Sequence, residues 1–201
     1  MSSTAPQAGR PRDPRSYRAL IDAVLDEVSA GSTLSGLSLV TIANRAGVSR
    51  NSLYRRWKTK DALYLDVLAA VNRPLPDVTG ASTREDVTRL LSVLIERVLD
   101  RRASSMLRAL NAEANAFPEL HRRYFGEIVA PRRKAFLEVL RRGVESGELR
   151  ADADLELVSD LLVSPVLAQM ASGRIDDLDP ERSSERIVSM VFAGAAAPRG
   201  D

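Results

Sequence analysis

The stretch that decides the fold runs from residue 38 to residue 60: Ser38-Leu-Val-Thr-Ile-Ala-Asn-Arg-Ala-Gly-Val-Ser-Arg-Asn-Ser-Leu-Tyr-Arg-Arg-Trp-Lys-Thr-Lys60. It holds two short helical patterns joined by one tight corner. Ser38 is placed to cap the first, its hydroxyl accepting a backbone N–H that the helix leaves orphaned. Leu39, Ile42, Ala43 and Ala46 then recur at helical spacing. Gly47 stands where the helix needs a left-handed exit, a conformation glycine reaches without steric penalty. Val48 can plug the corner. Ser49 caps the second helix, whose inward residues, Leu53 and Trp57, lie four apart.

The outer face of that second helix keeps Arg50, Asn51, Ser52, Tyr54, Arg55 and Arg56. A helix built only to fill a core would not present this set. Arginine bonds bidentately to guanine and asparagine to adenine, while serine, tyrosine and arginine reach phosphates. The alternative is an ordinary helical hairpin with solvated arginines. Cap, corner, plug and outer face together favour the helix-turn-helix of DNA-binding proteins.

The run Ile42-Ala43-Asn44-Arg45-Ala46-Gly47-Val48-Ser49, then Leu53-Tyr54-Arg55-Arg56-Trp57 and Lys60-Asp61-Ala62-Leu63, closely resembles the DNA-binding domain of TetR-family transcriptional regulators. In that family His and Phe are common where this chain has Arg56 and Trp57, and a small residue is common at Asn51. Those departures bear on which bases are read, not on the class.

Composition sets the bounds. Of 201 residues, 44% are hydrophobic and 28% charged, as in ordinary globular proteins. Aromatics make up only 4%, so the core must be largely aliphatic. With no sustained strand alternation, the expected class is all-α. Cysteine is absent, which excludes disulfides, thiolate metal sites and a cysteine nucleophile. No signal pattern and no membrane-length apolar run is present, so a cytoplasmic protein without membrane association is expected. Net charge is +2, but residues 1–73 carry 11 Lys+Arg against 6 Asp+Glu, and residues 74–201 carry 18 against 21. The basic excess sits with the helix-turn-helix, as phosphate contact requires.

In chain order, residues 1–12 read as a flexible basic arm, with Arg10, Arg12 and Arg15 either solubilising or touching DNA. Residues 13–73 read as a three-helix DNA-binding domain with a connecting helix. Asp13-Pro14 opens its first helix, whose apolar stripe is Tyr17, Leu20, Ile21, Val24, Leu25 and Val28. Thr59 caps the connecting helix. Lys60 in its first turn opposes the helix dipole, which a nearby DNA phosphate would explain, and the resemblance implies the same role. Residues 73–82 mark a boundary, and 82–196 form a second helical domain. Ser82 to Glu85 forms a capping box. A short helix is expected over roughly 104–115, then a long one from Phe117-Pro118 to Ser146-Gly147, kinked or split at Pro131. Residues 155–170 are apolar nearly all round and need burial on two sides. Asp179-Pro180 opens the last helix.

The resemblance implies that the last two long helices pair with those of a second subunit, with Leu155, Val158, Leu162, Val166, Ile187 and Val191 at the homodimer interface. Dimerisation also suits DNA chemistry, because a two-fold pair reads two half-sites about one helical turn apart. The resemblance further implies a small-molecule effector inside the second domain. Matching positions are Met106, Leu110, Asn111, Glu113, Ala114, Phe117, Tyr124 and Met170, which equally serve as core or, for the polar pair, face water. No cofactor is implied. The single His121 lacks companions for a zinc site, and neither a nucleophile elbow nor a phosphate-cradling loop appears, so no enzyme is expected. The expected DNA-contacting residues are Ser38, Ser49, Arg50, Asn51, Ser52, Tyr54, Arg55, Arg56 and Lys60. The expected function is a repressor released from a pseudo-palindromic DNA operator by a small ligand. The alternative is a helical protein–protein interaction module using the apolar surface of residues 155–170.

Overall fold

A computed structural model describes residues 14–78 and 82–195 and shows only helices and their connections there. The expected cap Asp13 and arm residues Arg10 and Arg12 lie outside the described residues.

The first helix, α1 (Pro14–Ser29), starts at its proline and buries Leu20, Ile21, Val24, Leu25 and Val28. A loop follows in which Leu34 and Leu37 turn inward, so a segment of turn-forming residues still contributes to the core. In α2 (Leu39–Arg45), Ser38 Oγ accepts from Val40 N at 3.2 Å. Gly47 leaves that helix at φ +65°, and a Cβ there would meet nothing within 4 Å, so its requirement is conformational rather than steric. Ser49 Oγ accepts from Ser52 N at 3.1 Å to open α3 (Arg50–Arg56). Thr59 caps α4 (Lys60–Ala70) in the same way. These four helices form a head.

The body consists of α5 (Thr83–Leu99), α6 (Arg101–Ala112), α7 (Pro118–Tyr124), α8 (Ala130–Glu145), α9 (Leu155–Ala171) and α10 (Pro180–Ala195). Helix α6 begins earlier than its apolar residues suggest because Asp100 accepts from the N–H groups of Arg102 and Ala103. The expected long helix is divided: a π-helical turn, Phe125–Val129, separates α7 from α8, with Pro131 just inside α8. A 3₁₀ turn, Ile175–Asp177, precedes α10. Helix α10 packs along α5, and α9 packs on α5, α8 and α10. One apolar cluster runs continuously from Leu20 of the head to Phe192 of the body.

Polar bonds frame the junction between head and body. The Glu113 carboxylate, at the end of α6, accepts from Leu34 N at 2.5 Å, Ser35 N at 2.9 Å and Ser35 Oγ. Tyr64 Oη donates to the Leu34 carbonyl at 2.7 Å, and Lys60 Nζ donates to the Ser35 carbonyl at 2.9 Å. Arg102 of α6 pairs with Asp22 at 3.0 Å and Asp26 at 2.8 Å of α1. Beyond α4, Arg73 pairs with Glu96 at 2.6 Å. Desolvation alone would raise the Glu113 pKa, but the bonds from Ser35 and Leu34 and the charge of Lys60 outweigh it and hold the carboxyl below its ordinary value. Tyr64 is pushed well up, first by burial and then by Glu113 and Asp61.

Two outcomes follow. Gly47→Ala forces a non-glycine residue into the left-handed region and should lower stability by about 1 kcal/mol, read by urea denaturation. A depressed carboxyl pKa contributes stability above the unfolded value, and that contribution fades as pH falls through the folded value. Glu113→Gln should therefore melt below wild type at neutral pH, with the gap closing below about pH 4. A gap that stays constant with pH would show that the charge of Glu113 is irrelevant to the junction.

Candidate nucleic-acid interface

Helix α3 is held by two side chains. Leu53 is fully buried and Trp57 is 2% exposed. The Trp57 indole N–H donates to Asp66 Oδ2 at 2.9 Å, so its one polar group is satisfied on α4. Its ring stacks against Tyr17 of α1 at 5.9 Å. Each buried side chain of this size contributes roughly 1.5–3 kcal/mol, enough to fix which face of a seven-residue helix turns outward. The Tyr17 pKa is raised, first by burial and then by the Asp66 carboxylate.

Arg50, Asn51, Tyr54, Arg55 and Arg56 are exposed in consequence, and Ser52 is half-buried. Tyr54 presents 45% of its surface to solvent, which is unusual for an aromatic ring and unexplained by packing. Arg56 has a distinct posture: its Cζ lies 4.1 Å from the Tyr17 ring centroid and 5.3 Å from that of Trp57. Its guanidinium rests on the aromatic pair by a cation–π contact, leaving its edge to solvent. Ser38 and Ser49 are engaged as helix caps, and Ser49 Oγ also lies 2.9 Å from Ser52 Oγ.

Lys60 also has a partner within the chain. Its position against the helix dipole is accounted for within the chain, by the Ser35 carbonyl and the nearby Glu113 charge.

The residues expected around an effector do not come together as a set. Met106, Leu110, Tyr124 and Met170 are buried in the body. Asn111, however, is exposed, Ala114 is half-buried, and Glu113 is committed to the loop of the head. Phe117 meets the Tyr64 ring edge-on at 5.8 Å, at the junction. At the end of α6, Asn111 faces solvent and Glu113 bonds the loop of the head. His121 is half-buried beside Phe125, with ring centroids 4.6 Å apart. A surface cleft of about 640 Å³ opens between α1, the end of α4 and the α5–α6 corner, with Arg18 and Arg73 in its wall.

The expected dimer residues fall into two groups. Val158, Leu162 and Val166 are buried within their own protomer, and Leu155, Ile187 and Val191 pack partly against its core. The outward apolar residues are Leu157, Leu161, Leu167 and Met190, at 55%, 49%, 40% and 75% exposure. Counting apolar residues identified the doubly apolar helix, but not which stripe faced its own core.

Two arginines escaped the sequence reading, Arg97 of α5 and Arg132 of α8. Arg97 is buried, and Arg132 donates from Nε to Asn72 Oδ1 at 2.7 Å and from Nη2 to the Arg73 carbonyl. A signal existed for Arg97: it falls seven residues after Leu90, on the apolar stripe itself.

A basic helix turned outward from a small helical head, with that head bonded to a helical body, defines a helix-turn-helix DNA-binding protein. Residues 34–67 match the family described as bacterial regulatory proteins, tetR family, and residues 75–191 match the tetracyclin repressor-like C-terminal domain. The chain belongs to the TetR family of DNA-binding transcriptional regulators. It is 31% identical over 168 residues to the uncharacterized HTH-type transcriptional regulator YdeS of Bacillus subtilis (strain 168), covering 81% of each chain. It is 24% identical over 200 residues to the HTH-type transcriptional repressor KstR2 of Mycolicibacterium smegmatis, covering 95% of this chain and 96% of that one. Its fold is similar to the solved structure of the regulator FadR from Bacillus subtilis in complex with stearoyl-CoA, with TM-score 0.74 and 16% identity over 89% of this chain and 98% of that one.

Trp57→Phe keeps the ring and removes the N–H that Asp66 accepts. The expected loss is about 1–3 kcal/mol of stability, measured by thermal denaturation, with the outer face of α3 chemically unchanged.

Proposed function

We propose that the protein is a homodimeric repressor that binds a pseudo-palindromic operator and is released from it by a small-molecule effector. The observation that carries the DNA reading is the outward face of α3, where Arg50, Asn51, Tyr54 and Arg55 are exposed while Leu53 and Trp57 anchor the helix. Arginine and asparagine supply the base-reading groups, and tyrosine and the remaining arginines supply phosphate contacts. Arg56, held over the Tyr17 ring, is positioned for a phosphate or a groove edge. Ser38 and Ser49 contribute through the helix starts they cap.

A second copy of the chain covers Leu157, Leu161, Leu167 and Met190 in this proposal, which sets two α3 helices on one duplex about 34–36 Å apart, or a multiple of that. The repressor sense is supported by the name of the KstR2 relative, and effector release by the ligand in the FadR structure. An effector acts by favouring the body state whose heads misfit the two half-sites, and a coupling of about 1–3 kcal/mol changes operator affinity roughly 5–150-fold. The protein works in the cytoplasm without a cofactor. Among the described residues no helix is long and apolar enough to cross a membrane.

The test is fluorescence anisotropy with duplexes from the DNA flanking the protein's own gene. Tyr54→Ala and Arg55→Ala should each weaken binding by at least about tenfold, and affinity should fall steeply with salt. Both variants should keep the wild-type mass in light scattering. Leu161→Glu should instead give monomers and lose DNA binding with them. Specific binding that survives Tyr54→Ala and Arg55→Ala and ignores salt would refute the assignment of α3.

A further inference from the structure

Arg97 is 3% exposed and forms no ion pair among the described residues. Its Nη2 donates to Tyr124 Oη at 2.5 Å, its Cζ lies 5.9 Å from the same ring centroid, and its Nε has no hydrogen-bond partner. Arg132 reaches toward the same place from α8. Its pKa is lowered, first by burial and then by the like charge of Arg97. The partners of Arg132, Asn72 Oδ1 and the Arg73 carbonyl, are both neutral. Glu96, the sequence neighbour of Arg97, is paired with Arg73 at 2.6 Å, and Glu127, three residues after Tyr124, with Arg123 at 2.7 Å.

A buried guanidinium, that of Arg97, therefore lies near the half-buried Arg132 with no carboxylate bonded to either among the described residues. Such a charge is strongly unfavourable unless an anion completes it. Leu120 and Ile128 stand four residues either side of Tyr124 and, like Phe136, are buried. The π-helical turn starts directly after Tyr124, and turns of this kind break a helix's register most often at functional sites.

We propose that Arg97, Arg132 and Tyr124 form the anion-recognising part of the effector site, and that the effector is an amphipathic organic acid: a carboxylate or phosphate head on an apolar body. The inference rests on the reading of the protein as a ligand-released regulator. The guanidinium forks of Arg97 and Arg132 bond the oxyanion, Tyr124 donates to it, and the surrounding core accepts the apolar part. The same geometry supplies the coupling. Arg132 holds Asn72 and the Arg73 carbonyl, which follow α4 at the base of the head. An anion that draws Arg132 inward takes it from those partners and frees the end of α4, on which α3 rests through Trp57 and Asp66.

Calorimetry on the full-length protein with decanoate, decyl phosphate and decanol tests this directly. At least one anion should bind, with decanol about tenfold weaker or more, and the two anions distinguish a carboxylate from a phosphate head. Arg97→Met and Arg132→Gln should each reduce anion affinity about ten- to hundredfold. Without ligand, Arg97→Met should melt at or above the wild-type temperature, because an uncompensated buried charge is gone; a purely structural arginine would melt lower. Arg132→Gln carries the affinity test if the Arg97 variant does not fold. Decanol binding as tightly as the anions, no anion binding to wild type, or full affinity in both variants overturns the proposal. Anion binding in a protein that never engages DNA would leave this site standing and overturn the repressor reading alone.

Discussion

The burial of Leu53 and Trp57 beneath α3 is the contact on which the function depends. A seven-residue helix is too short to be stable by itself, so its orientation comes from what anchors it. Leu53 within the helix and Trp57 at its C-cap are both buried, and the exposed residues of the helix turn away from them. The indole bond to Asp66 and the stack on Tyr17 tie that face to α4 and α1 together. The outer face of α3 is therefore fixed with respect to the head.

The head is tied to the body at a polar junction. Leu34 and Ser35 are gripped from the body by Glu113 and from within the head by Tyr64 and Lys60. Arg102 clamps α1, and Arg132 and Arg73 hold the segment that follows α4. An apolar seam alone would allow sliding. Charge-assisted bonds at defined angles impose discrete arrangements, which is what a switch between two states needs.

Much of this was legible in the chain. The caps Ser38, Ser49 and Thr59, the glycine exit at Gly47 and the outward set on α3 are local features, written within a few residues of one another. The break near Pro131 was legible as well, though its form, a π-helical turn ahead of the proline, was not. For Glu113 the family resemblance implies either a pocket position or a solvated one, and its partners in the head, 78 and 79 residues away, are written nowhere near it in the chain. Arg97 was passed over because an arginine beside a glutamate on a helix ordinarily faces water.

The sequence by itself determined the helical class, the order of the helices and the chemistry of the α3 surface, because these depend on spacings of three and four residues and on caps that act within one turn. The tertiary structure alone decided which apolar stripe of α9 is core and which is exposed, which bonds Glu113 and Lys60 make, and that Arg97 is buried without an acid partner among the described residues. Each of these depends on groups distant in sequence, whose encounter is set by how helices pack and by nothing written locally.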